Sequence, residues 1–446
     1  MVKKIKGNIP ARAHPPHYMM HRYWGRKAHN VINKYIENYT SEGDTVLDPF
    51  MGSGIVIIES AKLKRKGIGF DLNPLSCFIA ENTLTHIDID KFEKYFLKIF
   101  ENNQTKYQWL YESICPSCNS ISKLVNSVWS EKGISKVKGH CDNCGTFTKS
   151  ADEFDKKLIK KAEIYLPKSN IKYPKDKILD YVKRSKKTNI NQLFTSRALI
   201  ILGSIRNDIS KIKDKKIRNI ILLCFSSMVP NVSKMIPGDE SKVNGKSGWV
   251  VSKLWAPKIH TEKNIFDSFF NRFKKIRKGK QETNQLINFN DYSLINKSSE
   301  RIKKIKDNSV DYIFTDPPYG ESIAYFGLSM FFNAWLELDV DYDNEIIYDP
   351  YRQKKHEDYN NRLQRVFKEL FRVLKFNKYL SFTFHNRNLL IWKNVMDSVK
   401  SAGFELKNIA YQEQAVQSGT QGLNRKNTLK GDFVYNFKKQ KNTIRK

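Results

Sequence analysis

The four residues at 316–319, Asp-Pro-Pro-Tyr, have types and an order that could hold a planar amine. The apolar run at 310–314 predicts a buried parallel strand, which must stop at two prolines that give no N–H to a sheet. Open α/β sheets bind ligands at such strand ends. Asp316 and the Pro317 carbonyl could accept both hydrogens of an exocyclic amine, with Pro318 stiffening the corner and Tyr319 stacking on the base. Alone, the tetrapeptide is also compatible with an ordinary turn.

A second pattern, over residues 45–71, reads as strand, glycine turn, helix, strand and acid. The first strand ends at Asp48, and Gly52 and Gly54 allow the backbone to turn tightly against a ligand. Asp71 ends the second strand, where an acid is placed to bind ribose hydroxyls. The order of these features predicts a nucleoside-containing cofactor on a Rossmann-like sheet.

Together, Asp-Pro-Phe-Met-Gly-Ser-Gly at 48–54 and Asp-Pro-Pro-Tyr at 316–319 resemble the motifs of amino-directed, S-adenosylmethionine-dependent DNA methyltransferases. The resemblance implies an α/β methyltransferase sheet in two sequence halves and direct methyl transfer to an amine of a flipped DNA base. An aspartate opening the second motif favours adenine N6, with cytosine N4 as the alternative. The cofactor residues it implies are Lys27, Asp48, Pro49, Phe50, Gly52, Gly54, Asp71 and Asn73, and the catalytic residues are Asp316, Pro317, Pro318 and Tyr319.

Within this assignment, each part of the cofactor has its own residues. Asp48 and the glycine turn hold the methionine part, Asp71 holds the ribose, and Asn73 lies near the adenine ring. Lys27 belongs to an aromatic and basic segment that resembles the one closing the methionine side of the pocket in this family.

Two Cys-x-x-Cys pairs, Cys115/Cys118 and Cys141/Cys144, are separated by 22 residues. Four thiolates at this spacing predict a closed, structural zinc site, with redox pairs as the alternative. With this module, the chain resembles the adenine-specific DNA methylases that contain a zinc ribbon. Members of that group often serve restriction-modification or phage defence. No nuclease motif stands out, so restriction or defence partners would be separate subunits.

The composition changes along the chain predict five parts. They are an N-terminal arm with the cofactor half (1–105), a zinc ribbon (106–150), a lysine-rich linker with a largely helical recognition insertion (151–286), the catalytic half (287–437) and a basic tail (438–446). The lysines at 156–187 fit either a solvated linker face or a nucleic-acid groove.

The charge of the chain favours a polyanionic partner. Lysine and arginine number 78 against 46 acids, a formal charge of +32, although a lysine-rich genome would also give this excess. We expect a cytoplasmic protein, because no signal peptide is visible and the apolar run at 220–229 is too short for a membrane span.

Two other functions remain open from the sequence. Some tRNA guanine-N2 methyltransferases carry similar motifs, but the interval from Asp48 to Asp316 is long and no RNA-binding domain precedes it. An inactive, zinc-containing DNA-binding protein is the other alternative, and the intact motif acids argue against it.

Overall fold

The computed structural model describes residues 5, 7–184, 186–241, 243, 248–249, 253–287, 291–320, 323–386, 388–413 and 431–440. Strands within these ranges are β1 (Thr45–Asp48), β2 (Lys66–Phe70), β3 (Glu112–Ile114), β4 (Ile121–Ser130), β5 (Gly133–Cys141), β6 (Gly145–Ser150), β7 (His260–Lys263), β8 (Tyr292–Ile295), β9 (Val310–Thr315), β10 (Leu374–Phe384), β11 (Phe404–Glu413) and β12 (Gly431–Lys439). The helices are α1 (His29–Tyr39), α2 (Ile55–Lys62), α3 (Pro74–Leu84), α4 (Ile89–Tyr107), α5 (Glu153–Lys168), α6 (Ser196–Ser210), α7 (Lys215–Met228), α8 (Ile265–Leu286), α9 (Tyr325–Leu336), α10 (His356–Val373) and α11 (Leu389–Ser401). None of the helices in these ranges has the length and apolar content that crossing a membrane requires.

The larger sheet has the order β11-β12-β10-β9-β1-β2-β8. Its strands from β10 to β8 pair in parallel, whereas β12 is antiparallel to both β10 and β11. The predicted Rossmann-like methyltransferase sheet in two sequence halves is therefore confirmed. β1 lies directly beside β9, so the strand ends that carry the two motifs meet at the same edge.

The two central strands are buried on both faces. Val46 and Tyr312 belong to the apolar cluster under α1 and α2, whereas Leu47 and Ile313 belong to the cluster under α10 and α11. This alternation follows from the two-residue period of a strand, and continuous apolar runs are what a parallel sheet covered by helices requires. The helices thus fix the positions at which Asp48 and Asp316 leave the sheet.

The insertion between the two halves combines a small sheet with helices. The small sheet runs β3-β4-β5-β6, and β7 pairs with β4. The predicted ribbon at 106–150 contains β3 to β6, whereas β7, which pairs with β4, lies within 151–286. Helices α6 and α7 also lie within 151–286, and their apolar cluster reaches α9 of the catalytic half through Phe331 and Trp335.

Regular secondary structure is present at the start of the predicted tail and in the lysine-rich stretch. β12 continues to Lys439, whose ammonium donates to the carbonyls of Phe371 and Leu374, so the predicted tail begins inside a strand. Residues 441–446 of that tail lie outside the described residues. The lysine-rich stretch from 156 begins as an amphipathic helix, since Ala162 and Leu166 of α5 are buried.

Candidate active site and candidate metal site

A cavity that is partly open to solvent lies at the carboxyl ends of β1, β2 and β9. Residues 23–27 and 344–346 complete its wall. Both predicted motifs contribute to it, and the predicted residues in its lining are Lys27, Asp48, Pro49, Phe50, Gly52, Asp71, Asp316 and Pro318. Apolar walls with a few convergent carboxylates are typical of a small-molecule site.

Asp48 ends β1 inside this cavity and is 3% exposed. Its Oδ1 accepts hydrogen bonds from the Phe50 N–H at 3.0 Å and from the Thr315 hydroxyl at 2.8 Å. Burial raises the pKa of Asp48 to about 8, although these hydrogen bonds oppose the rise. A cationic ligand group beside it would favour the ionised form.

Asp71 ends β2 and is held by backbone donors. Its two carboxylate oxygens accept from the N–H groups of Gly52 at 2.9 Å and Asn73 at 2.8 Å. Burial raises its pKa to about 6, and ligand hydroxyls could donate to the same carboxylate. Gly52 and Gly54 have φ angles of 51° and 82°, which glycine adopts without strain. The turn therefore needs the glycines that the motif supplies, although Gly54 begins α2 and does not line the cavity.

Asn73 does not line the cavity, and its place near an adenine ring stays a prediction. It is fully buried, caps α3 by accepting from the Leu75 N–H, and donates to the Ser329 hydroxyl at 2.7 Å. The Asn-Pro pair is a helix start, because asparagine favours the N-cap and proline the first turn. Its backbone N–H, rather than its side chain, contributes to the site through Asp71.

The catalytic motif leaves β9 as a rigid corner. Tyr359 donates to the Pro318 carbonyl at 2.5 Å, and Asn386 donates to the Tyr319 carbonyl at 3.1 Å. Pro317 is buried, and the Tyr319 ring packs edge-on against Phe384. The corner is thus fixed by α10 and by the end of β10.

Asp316 is surrounded by donors. Its Oδ1 accepts from the Tyr319 hydroxyl at 2.7 Å and the Thr383 hydroxyl at 2.5 Å, and it lies 3.3 Å from the Lys27 ammonium. Burial raises the pKa of Asp316, and Lys27 opposes this rise. The carboxylate is oriented before any ligand binds.

Lys27 lines the cavity, but its ammonium lies at the catalytic motif. It donates to the Tyr319 hydroxyl and to Asp432 Oδ2, both at 2.9 Å. Sequence reasoning missed Asp432 and Thr383. The available signals were an acid opening the otherwise apolar strand at 433–437 and a hydroxyl near the end of β10.

The four predicted metal-ligating cysteines come together in the small sheet. All four sulfur atoms lie within 4.8 Å of one another, and the sulfurs of Cys118 and Cys141 are 3.5 Å apart. A tetrahedral zinc with Zn–S bonds of about 2.3 Å needs sulfur separations of about 3.8 Å. The donor set and its geometry therefore fit a four-thiolate zinc site.

The sheet order, its reversed strand and the acidic ends of β1, β2 and β9 define the class of this protein, an α/β methyltransferase fold. Residues 6–82 and 310–445 match a family model described as DNA methylase. Among curated proteins, Type II methyltransferase M.MvaI from Kocuria varians is 23% identical over 308 residues, 67% of this chain and 52% of that protein. M.BamHI, the Type II methyltransferase from Bacillus amyloliquefaciens, is 42% identical over 71 residues, 16% of each chain.

Among solved structures, a SAM-dependent methyltransferase from Methanosarcina mazei aligns with 91% of this chain and 97% of its own, at 11% identity and a TM-score of 0.30. The matched regions span about half of M.MvaI and about a sixth of M.BamHI. The family model and the Type II relatives confirm the predicted resemblance to DNA methylases, which the model matches over residues 6–82 and 310–445, whereas the resemblance to the zinc-ribbon group stays a prediction.

Proposed function

We propose that this chain transfers a methyl group from S-adenosylmethionine to an exocyclic amine of a DNA base, with adenine N6 as the predicted target. One observation carries the proposal: Asp48, Asp71 and Asp316, from two distant motifs, line the same cavity. The first two carboxylates suit the charged and hydroxyl groups of the cofactor, and the third suits an amine.

The cofactor would supply an electrophilic methyl group on a sulfonium. In our assignment, Asp48 and the Gly52 turn bind the methionine part, and Asp71 accepts hydrogen bonds from the ribose hydroxyls. Tyr23 supports this end of the cavity, because its hydroxyl and that of Ser76 are 2.7 Å apart and its ring packs on Gly52.

The target base would enter from the catalytic corner. Asp316 and the Pro317 carbonyl orient the amine by accepting its hydrogens, and Tyr319 stacks on the ring. The amine loses one proton as the new N–C bond forms, and the Asp316 carboxylate is placed to take it. The base must leave the duplex, because a paired base could not enter this cavity.

The identity of the base is a finer proposal. Asp316 at the start of the motif favours adenine, whereas the matched family model is named for both N6 and N4 methylation. Cytosine N4 is therefore the second candidate. The relatives are named as Type II methyltransferases, and we propose that any nuclease or defence partner is a separate chain.

We also propose that Cys115, Cys118, Cys141 and Cys144 bind a structural zinc. The separations of their sulfur atoms support this assignment. A closed four-thiolate shell offers no open position for a substrate, so this metal would stabilise the small sheet and take no part in transfer.

The deciding experiment measures transfer of a labelled methyl group from S-adenosylmethionine to duplex DNA and to tRNA, with Asp316→Ala as the inactive variant. We expect label in DNA, lost in the variant and recovered as N6-methyladenine. Recovery of the label as N4-methylcytosine would identify cytosine, rather than adenine, as the target base. Label in tRNA alone would contradict the DNA proposal, and absence of cofactor binding would favour the inactive, zinc-containing DNA-binding protein.

A further inference from the structure

Lys27, from the N-terminal arm, lies between the partly buried carboxylate of Asp316 and the buried carboxylate of Asp432, both from the C-terminal half of the chain. Its ammonium is 2.9 Å from Asp432 Oδ2 and 3.3 Å from Asp316 Oδ1. The side chains of Lys27, Asp316 and Asp432 are 16%, 25% and 7% exposed, so solvent screens these charges weakly. The same ammonium lies 4.9 Å from the centre of the Tyr319 ring.

We propose that Lys27, fixed by Asp432, is a positioning residue that keeps Asp316 an ionised hydrogen-bond acceptor for the target amine. This differs from the cofactor role predicted for Lys27, and it rests on the proposed function. The two aspartates assigned to the cofactor support this distinction, because Asp48 and Asp71 accept hydrogen bonds from backbone N–H and hydroxyl groups.

The charge of the cluster fits the reaction. Two carboxylates and one ammonium carry a net charge of −1, while methyl transfer moves a positive charge from the sulfonium to the target nitrogen. The amine N–H bond then breaks, an O–H bond forms on Asp316, and the cluster becomes neutral. A cluster of net charge −1 is therefore complementary to the charge that develops at the nitrogen.

Without Lys27, the two carboxylates would lose the cation that lies between them among the described residues. One of them would take a proton from solvent, because like charges at short range disfavour double ionisation. Other titratable groups that face Asp316 are Asp48 from β1, Tyr319 from the motif and Tyr325 from α9. These are acids or phenols, and none of them replaces the positive charge of Lys27.

Lys27 and Asp432 must act on the pKa of Asp316 in opposite directions. Lys27 lowers the pKa of Asp316, whereas Asp432 raises it. In Lys27→Met, we expect the acidic limb of the rate–pH profile to move to higher pH, and the rate at pH 7 to fall roughly 10- to 100-fold. In Asp432→Asn, we expect the acidic limb to move to lower pH. A merely structural role would not shift the two variants in opposite directions.

The test measures methyl transfer to DNA from pH 5 to 9 for the full chain, the two variants and Lys34→Met. Lys34 is an exposed lysine on α1 paired with Glu37, and it controls for loss of a positive charge. Affinity for S-adenosylmethionine is measured in parallel by calorimetry. We expect it to change less than threefold in Lys27→Met, as in the control.

Two results would overturn the inference: loss of cofactor binding in a folded Lys27→Met protein, or identical acidic limbs in all variants. A wild-type chain that does not methylate DNA would contradict the proposed function instead. In that case, carbon NMR titration of labelled aspartate still tests the effect of Lys27 on Asp316. The Asp316 signal is assigned by its loss in Asp316→Asn. Opposite shifts of the Asp316 titration in the two variants support the inference, and their absence rejects it.

Discussion

Three aspartates at three strand ends show how the same residue type acquires different properties. Asp48 is fully enclosed and receives neutral donors, Asp71 receives two backbone N–H groups, and Asp316 has a cationic neighbour. Burial raises the pKa of all three, to about 8 for Asp48 and about 6 for Asp71. Environment, rather than residue type, separates the proposed cofactor and catalytic roles.

Burial of the Asp48 carboxyl should lower the stability of the protein without bound cofactor. Its folded pKa of about 8 lies above the unfolded value of 3.8, so the contribution of Asp48 to stability is fully present below pH 3.8 and is lost as pH rises toward 8. At pH 8, we expect Asp48→Asn to raise the free energy of unfolding by about 2 kcal/mol and Tm by roughly 2 °C or more, because asparagine needs no ionisation.

The same Asp48→Asn variant should bind S-adenosylmethionine at least roughly tenfold more weakly, since the proposed charge pairing is lost. Thermal melts at pH 5 and pH 8, with calorimetric titration of the cofactor, check both expectations. A Tm below wild type at pH 8 would show that Asp48 is ionised and stabilised in the free protein.

For single residues, the sequence predicts those in contiguous motifs better than the side chains that contact them from distant parts of the chain. Asp48, Asp71 and Asp316 are recognisable because each ends an apolar strand. Lys27 meets Asp432 only after β12 inserts beside β10, and no local pattern contains that pairing. The buried position of Asn73 was missed because N-cap asparagines and ligand-binding asparagines look alike in sequence.

A buried ion pair joins elements of the insertion. Arg197 of α6 and Glu262 of β7 are 2% and 1% exposed, and their side chains approach to 2.7 Å. Burial alone would raise the pKa of Glu262, but Arg197 and neighbouring hydroxyl donors hold it below its usual value. This pair helps to hold the small sheet against the helices.

Breaking the pair should destabilise the insertion. We expect Glu262→Gln to lower the free energy of unfolding by about 3 kcal/mol, because it leaves the Arg197 charge buried without a counter-ion. Glu131→Gln, which changes an exposed acid 3.9 Å from Lys258, should change it by less than about 0.5 kcal/mol. Denaturant unfolding compares the two variants, and equal losses would contradict the importance of the buried pair.

The zinc proposal makes a separate prediction for the small sheet. We expect Cys144→Ser to lose the metal and to lower Tm, while cofactor affinity stays unchanged because the cysteines lie outside the cavity. Cys77→Ser, outside the cluster, should retain the metal. Metal analysis and thermal melts measure the effect, and a wild-type protein without zinc that is insensitive to chelators would contradict the proposal.

Among the elements, long periodic segments are the most predictable. The aromatic and apolar run at 325–336 predicts a helix, and α9 has the same bounds. β7 was missed because its four residues carry no alternating pattern and become a strand only by pairing with β4. Tertiary pairing, rather than local propensity, defines such a short strand.

For the whole molecule, the five-part division stays a proposal, and the structure motivates one amendment. We propose that β7 belongs with the zinc ribbon, since it pairs with β4, and that α4 to α8 form the helical part of the insertion. The two methyltransferase halves then share one sheet.

The formal charge of +32 predicts salt-sensitive DNA binding. If lysines and arginines contact about six phosphates or more, raising salt from about 50 to 200 mM should lower the affinity for duplex DNA by about 10³-fold. Fluorescence anisotropy with a duplex and a matched neutral polymer measures this dependence. If the affinity for DNA does not depend on salt, the excess of positive charge is better explained by a lysine-rich genome.

The position of β1 constrains how the chain can be made. β1 pairs with β2 on one side and with β9 on the other, and β9 follows the entire insertion in the sequence. During synthesis, the edge of β1 that pairs with β9 therefore stays unpaired until the ribosome has released the insertion and the chain to residue 315. A nascent or truncated chain ending before β9 would expose this edge to strands of other molecules, so premature termination should yield aggregates rather than a stable cofactor-binding half.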